Sequence, residues 1–271
     1  MSFRNVVYRY GNNSNNVLNG ITADISRGEF VAVIGPNGSG KSTLARHING
    51  LLVPSEGQVT VDGMDTREPE SIPEIRRRVG FVFQNPDNQL VGTTVEEDIA
   101  FGPENTGTSP EDIRESVDFA MTVAGLRELA GRPPHMLSGG QKQQLAIAGV
   151  VAMKTGCLVL DEPTSMIGPA GRRSVMGLLS RLKEEFNMTL VLITHHMEEA
   201  VFADRVMVTV EGHIAAEGTP REVFRSTSAL YGMGLELPGP VELSNRLRAL
   251  GLTLPDPVLT VDELVSCLCL L

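Results

Sequence analysis

The sequence contains no tryptophan, three cysteines and few aromatic residues, which make up 4% of the chain. Cys157, Cys267 and Cys269 form no CxxC pair, so neither a zinc site nor a disulfide framework is indicated. No apolar run approaches the roughly 20 residues that a membrane span requires. The N-terminal segment also lacks the apolar core of a signal peptide. We therefore expect a folded protein of the cytosol.

Basic residues are also fewer than acidic residues. Lysine and arginine number 23 against 33 aspartates and glutamates, which gives a formal net charge of −10. This balance argues against a broad nucleic-acid surface and against attraction to anionic lipid through net charge. Hydrophobic residues make up 41% and charged residues 21%, as in ordinary globular proteins. The 271 residues suffice for one large domain with a small appendage.

Glycine is concentrated in one short segment, residues 35–43, which we call the phosphate loop. Its GPNGSGKST sequence matches the pattern GxxxxGK[ST], behind an apolar run and ahead of a predicted helix that starts at Lys41. Glycines let backbone N–H groups turn toward phosphates, and the helix N-terminus adds positive potential. We expect Lys41 to reach the β and γ phosphates and Ser42 to ligate Mg²⁺. The predicted nucleotide-binding residues here are Gly35, Asn37, Gly38, Ser39, Gly40, Lys41, Ser42 and Thr43.

Two carboxylates follow the apolar run at residues 158–160. Asp161 and Glu162 would lie at the carboxyl edge of a sheet beside the phosphate loop, where the metal of a nucleotide binds. Asp161 is then the Mg²⁺ partner, through water, and Glu162 is placed to accept a proton from the attacking water. Taken alone, two acidic residues after a strand are more often a solvated turn. The phosphate loop in the same chain favours the catalytic interpretation.

A second anion-binding helix start is predicted at residues 138–141, where Ser138 and Gln141 form a capping box. The glycines Gly139 and Gly140 expose backbone N–H groups beside the Ser138 hydroxyl. A plain capped helix is the simpler interpretation of this segment alone. One chain cannot aim both helix starts at the same phosphate.

The order of predicted elements indicates an α/β fold. Three helices are predicted to start within about fifty residues, at a capping box of Thr94 and Glu97, at the N-cap Ser109 followed by a proline, and at the capping box of Ser138. Another helix covers residues 169–186. Beyond Glu222 a separate appendage is predicted, with Leu243, Leu247 and Leu250 on one helix face and a last helix starting at Thr260. Strands are predicted at residues 6–10, 20–25, 30–34, 58–61, 79–83, 158–160, 189–194, 205–210 and 213–216.

Together these segments resemble the ATP-binding-cassette ATPases. The phosphate loop, Gln84, LSGGQ at residues 137–141, the strand with DEPTS at 158–165 and His195 occur in that family's order. The resemblance implies a P-loop NTPase fold: a mostly parallel sheet core, an N-terminal antiparallel β subdomain, an inserted helical subdomain and a small C-terminal helical extension. It places the ATP-binding domain at residues 1–222, the helical subdomain at about 86–155 and a dimerisation extension at 223–271.

The resemblance also implies a second ATPase subunit, identical or different. In this family LSGGQ of one subunit closes over ATP on the phosphate loop of the other. Ser138, Gly139, Gly140 and Gln141 would then contact ATP in trans. Gln84 would reach the metal and the attacking water, and His195 the γ-phosphate.

An aromatic residue stacks on adenine in this family, and Tyr10 lies at that position. Tyr8 is an alternative, because strand alternation puts both tyrosines on one face, and both could simply pack. The neighbouring His196 is expected to be a solvated residue at a helix start. One departure from the family is Gly168, which stands where an aspartate is usual and could loosen the coupling between closure and hydrolysis.

The segment from Gln84 to Pro103 is similar to that of energy-coupling-factor transporter ATPases, which drive uptake of vitamins and metal ions. There it forms a groove for a basic coupling helix, which suits a surface offering Asp87, Glu96, Glu97 and Asp98. A plain acidic helix start is the alternative. The resemblance implies a peripheral subunit on the cytoplasmic face of the cell membrane, with ATP and Mg²⁺ as cofactors. Its partners would be a transmembrane coupling subunit and a substrate-binding membrane subunit, and no nucleic acid.

Two other functions stay open. The first is a soluble cassette ATPase acting on nucleic acid or the ribosome. Such proteins usually carry two cassettes or a long coiled-coil insertion, and this sequence shows neither. The second is a nucleotide-sensing scaffold that binds ATP without releasing phosphate.

Overall fold

The computed structural model describes residues 1–11 and 15–270, and the strands within these residues form two sheets. The strands are β1 (Ser2–Tyr8), β2 (Leu18–Asp24), β3 (Phe30–Ile34), β4 (Glu56–Val61), β5 (Met64–Asp65), β6 (Val79–Val82), β7 (Cys157–Asp161), β8 (Thr189–Ile193), β9 (Arg205–Val210) and β10 (His213–Gly218).

The larger sheet has the strand order β10-β9-β3-β8-β7-β6 and is parallel except for β10. Every residue of β3, β7 and β8 is buried, because helices or the second sheet cover both faces. The carboxyl ends of β3, β6, β7 and β8 meet at one edge. This edge carries the segments in which the sequence predicted the chemistry.

The smaller sheet is antiparallel, with the order β2-β1-β4-β5. Its buried side chains, such as Phe3, Val6 and Val59, share one core with Val31 and Val33 of β3. The expected α/β fold, with its mostly parallel core and antiparallel β subdomain, is confirmed.

The helices are α1 (Lys41–Ile48), α2 (Ile72–Arg78), α3 (Val95–Asn105), α4 (Pro110–Ala124), α5 (Gly139–Ala152), α6 (Pro169–Phe186), α7 (Met197–Ala200), α8 (Pro220–Arg225), α9 (Thr227–Gly232), α10 (Gly239–Ala249) and α11 (Val261–Leu268). Helices α3, α4 and α5 pack on one another, as the predicted helical insertion requires. None of the helices in the described residues has the length and apolar character needed to cross a lipid bilayer.

Helices α3, α4 and α5 begin at the predicted caps. The hydroxyls of Thr94, Ser109 and Ser138 each accept a hydrogen bond from a backbone N–H three residues later. The capping box predicted at Thr94 was wrong in its second half, because the Glu97 carboxylate accepts from Thr93 instead.

The appended helix α10 packs on the main core through Val241. Leu243 and Leu250 of the predicted apolar face are 46% and 78% exposed. Leu247 packs instead against a small cluster of Leu254, Val258 and Leu264. The chain therefore covers only part of the predicted apolar face.

Candidate nucleotide-binding site

The phosphate loop joins the buried strand β3 to α1 and needs glycine for its shape. Gly38 and Gly40 have φ values of +80° and +98°, in the region that favours glycine. A Cβ on Gly35 would lie 2.2 Å from the backbone oxygen of Thr209. Ser39 is buried, and its hydroxyl lies 2.9 Å from that of Thr209, so its side chain fixes the loop to β9.

Lys41 begins α1 and points its ammonium group back into the loop. Its Nζ atom donates hydrogen bonds to the carbonyl oxygens of Gly35 at 2.8 Å and Pro36 at 3.0 Å. Burial lowers the pKa of Lys41, and the nearby carboxylates of Glu162 and Asp161 oppose that shift. The loop therefore holds a partly desolvated cation where phosphate oxygens are expected.

Ser42 and Asp161 meet at the carboxyl edge of the sheet. The Ser42 hydroxyl donates to Asp161 Oδ1 at 2.6 Å, and Arg46 Nη2 lies 3.7 Å from Asp161 Oδ2. Burial raises the pKa of Asp161, while the Ser42 hydrogen bond and the Arg46 charge oppose the shift. A hydroxyl beside a carboxylate offers the hard oxygen ligands that Mg²⁺ prefers, so these residues fit the ion.

Glu162 contacts residues that follow the two neighbouring strands. Its Oε2 atom accepts a hydrogen bond from Gln84 Nε2 at 3.2 Å and lies 3.3 Å from His195 Nδ1. Gln84 follows β6, Glu162 follows β7 and His195 follows β8. The structure thus brings together three residues that are far apart in the sequence.

The backbone of Glu162 is strained. Its φ is +50°, a left-handed conformation that is uncommon for residues other than glycine and that is concentrated at functional sites. Its N–H donates to the carbonyl oxygen of Ile193 at 3.0 Å, which fixes the residue against the end of β8.

Tyr10 lies beside the first turn of α1. Its hydroxyl is 3.1 Å from the Thr43 hydroxyl, and its ring is 39% exposed. Tyr8 packs edge-on between Tyr10 and His47, with ring centroids 4.9 and 4.8 Å away. Tyr10 therefore has the more accessible ring near the loop. Asn37 is exposed at the loop itself.

The start of α5 faces solvent. Ser138 and Gly139 are exposed, whereas Gly140 is buried. Ser138 N donates to Gln141 Oε1 at 2.9 Å and Gln141 N donates to Ser138 Oγ at 3.3 Å, so the predicted capping box is confirmed. The Gln141 side chain is thus used within the helix cap.

Sequence reasoning missed Glu199, which is 2% exposed. Its carboxylate accepts hydrogen bonds from Thr164 and Thr194, both at 2.6 Å, and so joins the segment after Glu162 to the segment before His195. The only sequence signal is an acidic residue in a short helix, which usually indicates an exposed position.

Two expectations about exposure were wrong. His196 lies at a helix start as expected, as the N-cap of α7, but it is half-buried and its Nε2 atom is shielded from solvent, so it is not a solvated residue. Asp98 is buried and its Oδ1 atom accepts from the backbone N–H groups of Val91 and Gly92 at 2.6 and 2.7 Å. Asp98 therefore shapes the segment before α3 and offers no surface charge to a partner.

Gly168 is exposed and forms the N-cap of α6 in an extended conformation with φ −71°. A Cβ there would have no neighbour within 4 Å. The backbone at this position does not require glycine.

Comparisons with known proteins show which family this chain is similar to. A family model described as "ABC transporter" matches residues 18–165. The energy-coupling factor transporter ATP-binding protein EcfA1 of Symbiobacterium thermophilum is 55% identical over 93% of this chain and 88% of its own length. The protein of that name from Bacillus subtilis is 45% identical over 98% of this chain and 95% of its own.

Two solved structures share the fold. The first is cbiO1 from Clostridium perfringens, described as part of the ABC transporter complex cbiONQ, with a TM-score of 0.79 and 36% identity over 91% of this chain and 98% of that one. The second is the dimeric ATP-binding cassette MJ0796 bound to ADP and Pi, with a TM-score of 0.72 and 32% identity over 81% of this chain and 98% of that one.

Proposed function

This chain belongs to the ATP-binding-cassette transporter family, and from that premise we propose that it is the ATP-hydrolysing subunit of an energy-coupling-factor importer. The proposal of ATP hydrolysis rests on one observation, which is that Gln84 and His195 both contact Glu162 Oε2. This cluster lies next to the hydrogen-bonded pair of Ser42 and Asp161.

The phosphate loop holds the triphosphate. Its glycines allow backbone N–H groups to approach phosphate oxygens, and the Lys41 ammonium exchanges its two loop carbonyls for the β and γ phosphates. Tyr10 stacks on the adenine, while Asn37, Ser39 and Thr43 shape the loop and its helix start. Ser39 acts through its hydrogen bond to Thr209.

Ser42 and Asp161 would hold Mg²⁺, and Gln84, which follows β6, would reach it. When bound, the ion would supply positive charge to stabilise the phosphates. The hydrogen bond between Ser42 and Asp161 already holds the two proposed oxygen ligands 2.6 Å apart, beside the phosphate loop.

Glu162 accepts the proton of the attacking water. Gln84 and His195 flank its carboxylate, so the water and the γ-phosphate are oriented by three side chains that follow adjacent strands. The left-handed backbone of Glu162 keeps its carboxylate in this cluster.

The second half of the site comes from another ATPase subunit. Ser138 and Gly139 are exposed at the start of α5, Gly140 lies directly behind them, and Gln141 stabilises that turn. ATP is then bound between the phosphate loop of one subunit and Ser138 of the other. Hydrolysis removes the γ-phosphate and weakens the contact.

Motion reaches the membrane through the segment after Gln84. Asp87 in this segment is exposed and forms an ion pair with Lys142 of α5 at 2.7 Å, which connects the segment to the helix that carries Ser138. Glu96 and Glu97 add exposed negative charge at the start of α3, complementary to a basic coupling helix. The membrane partners are a coupling subunit and a substrate-binding subunit for a vitamin or a metal ion, and the ATPase is peripheral on the cytoplasmic face.

The domain organisation follows the same proposal. Residues 1–222 form the ATP-binding domain, with the helical subdomain at about 86–155. Residues 223–271 form the dimerisation extension, for which the exposed Leu243, Leu250, Val261 and Val265 provide apolar surface.

The test is purification of the tagged chain from detergent-solubilised membranes. We expect a polytopic membrane protein in stoichiometric amount and Mg²⁺-dependent ATP hydrolysis by the complex, which Lys41→Ala abolishes. If no membrane protein co-purified and the chain bound nucleic acid in a mobility-shift assay, with an affinity that falls as salt rises, the soluble ATPase would be favoured instead. ATP binding without phosphate release would favour the scaffold.

A further inference from the structure

Helices α5 and α6 approach each other through two glycines in their first turns. A Cβ on Gly140 would lie 2.8 Å from the Cα of Gly171, and a Cβ on Gly171 would lie 3.1 Å from the Cα of Gly140. In both cases the obstructing atom belongs to the backbone, which cannot rotate away as a side chain can. The separation of the two helix starts is therefore set by the absence of side chains.

Conformation does not explain these glycines. Gly140 and Gly171 lie inside helices, and neither has a positive φ. Glycine inside a helix costs about 0.5–1 kcal/mol relative to alanine. The close approach of α5 to α6 is the feature that alanine would not permit.

The residue before Gly140 adds a second contact. A Cβ on Gly139 would lie 3.1 Å from Ile167 Cγ2, and Ile167 is 9% exposed. The start of α5 therefore rests on the segment that connects Glu162 to α6.

The first turn of α6 also contacts a buried carboxylate beside the Glu162 and His195 cluster. Arg172 Nε lies 3.6 Å from Glu199 Oε1. Glu199 in turn holds Thr164, two residues after Glu162, and Thr194, which precedes His195. A displacement at Glu162 or His195 thus has a continuous path of contacts to Gly171.

We propose that Gly171 is a positioning residue that sets the start of α5, and with it Ser138, relative to the Glu162 and His195 cluster of the same subunit. This inference rests on the proposed function, in which Ser138 serves the ATP of the partner subunit. The Gly140–Gly171 contact then links the state of one ATP site to the closure of the other.

The test is Gly171→Ala, with Gly177→Ala as the matched control. Both glycines lie in α6, but a Cβ on Gly177 meets nothing within 4 Å. Each variant is compared with the parent chain in the assembled transporter complex, by kcat and KM for MgATP. Affinity of the isolated chain for MgADP and its melting temperature provide the second measurement, because MgADP binding uses the phosphate loop without Ser138 of a partner.

We expect Gly171→Ala to lower kcat about tenfold, because it displaces the start of α5 by a few tenths of an ångström. MgADP affinity should stay at the parent value in both variants. The melting temperature of Gly171→Ala should stay near that of the parent, because the gain in helix propensity offsets the displacement. Gly177→Ala should match the parent in kcat and melt at or above the parent temperature, since alanine is favoured over glycine inside a helix. Equal kcat in the two variants would overturn the inference, as would a loss of MgADP affinity that accounts for the whole effect. A parent complex with no ATP hydrolysis would overturn the proposed function itself, and the inference with it.

Discussion

Glu162 Oε2 and His195 Nδ1 lie 3.3 Å apart because their strands are adjacent and in register. Asp161 of β7 pairs with Ile193 of β8, so the residues after the two strands leave the sheet side by side. The hydrogen bond from Glu162 N to Ile193 O holds the glutamate in its left-handed conformation. The proposed proton acceptor is thereby fixed beside the residue proposed to contact the γ-phosphate.

The first prediction concerns Glu162→Gln. Glutamine preserves the shape of the side chain but removes the proton acceptor, so we expect kcat for ATP to fall by a factor of about 10²–10⁴. MgADP affinity should remain unchanged, because the phosphate loop is intact. Glu198→Gln is the control, since Glu198 is exposed on α7. Normal turnover in Glu162→Gln would remove this residue from its proposed role.

The second prediction concerns Ser42→Ala. The variant loses the 2.6 Å hydrogen bond to Asp161 and one oxygen of the proposed ion site. We expect nucleotide affinity measured by calorimetry to fall about tenfold with Mg²⁺ and to change little in EDTA. Ser174→Ala, at an exposed position of α6, should behave as the parent in both conditions. An equal loss with and without Mg²⁺ would contradict a metal-binding role.

The third prediction concerns Gly168→Asp. An aspartate side chain fits the open N-cap of α6 and can accept hydrogen bonds from the first turn, so we expect about 0.5 kcal/mol of added stability. It also restores a hydrogen-bonding group between DEPTS and α6, and we expect higher steady-state ATPase activity. Gly168→Ala separates the backbone effect from the carboxylate. Unchanged or lower turnover in Gly168→Asp would count against this interpretation.

The fourth prediction concerns the pH dependence of stability. His47 is buried, its Nδ1 lies 2.7 Å from Thr43 O, and burial lowers its pKa below the ordinary 6.5. The unfolded chain therefore binds a proton more readily, so the free energy of unfolding falls as pH drops below about 6.5. Between about pH 7.5 and pH 5.5, the parent should lose more stability in urea titrations than His47→Leu. Parallel pH profiles of the two proteins would show that His47 does not contribute.

The phosphate loop was predictable because its signals are local. A short apolar run, closely spaced glycines and a helix start specify β3, the loop and α1, and the observed bounds of Phe30–Ile34 and Lys41–Ile48 follow that reading closely. Helix caps at Ser109 and Ser138 were likewise set by residues three positions apart.

Features that depend on sheet order or packing were not accessible to the same reasoning. Nothing local in the sequence says that β6, β7 and β8 are neighbours, which is what brings Gln84 and His195 to Glu162. Burial of Asp98 and Glu199 depends on partners elsewhere in the fold, and acidic residues of helices are usually exposed. The face of α10 that the core covers also depends on tertiary packing, which left Leu243 and Leu250 exposed.

The most direct measurement is MgATP-dependent association of ATPase subunits in the Glu162→Gln background, with and without Ser138→Glu. Ser109→Glu is the matched control, because Ser109 is an exposed N-cap of another helix. We expect a stable MgATP-dependent dimer that Ser138→Glu abolishes by repelling the γ-phosphate, and that Ser109→Glu leaves intact. A dimer that forms equally well with Ser138→Glu would contradict the claim that ATP is bound between the phosphate loop of one subunit and Ser138 of the other.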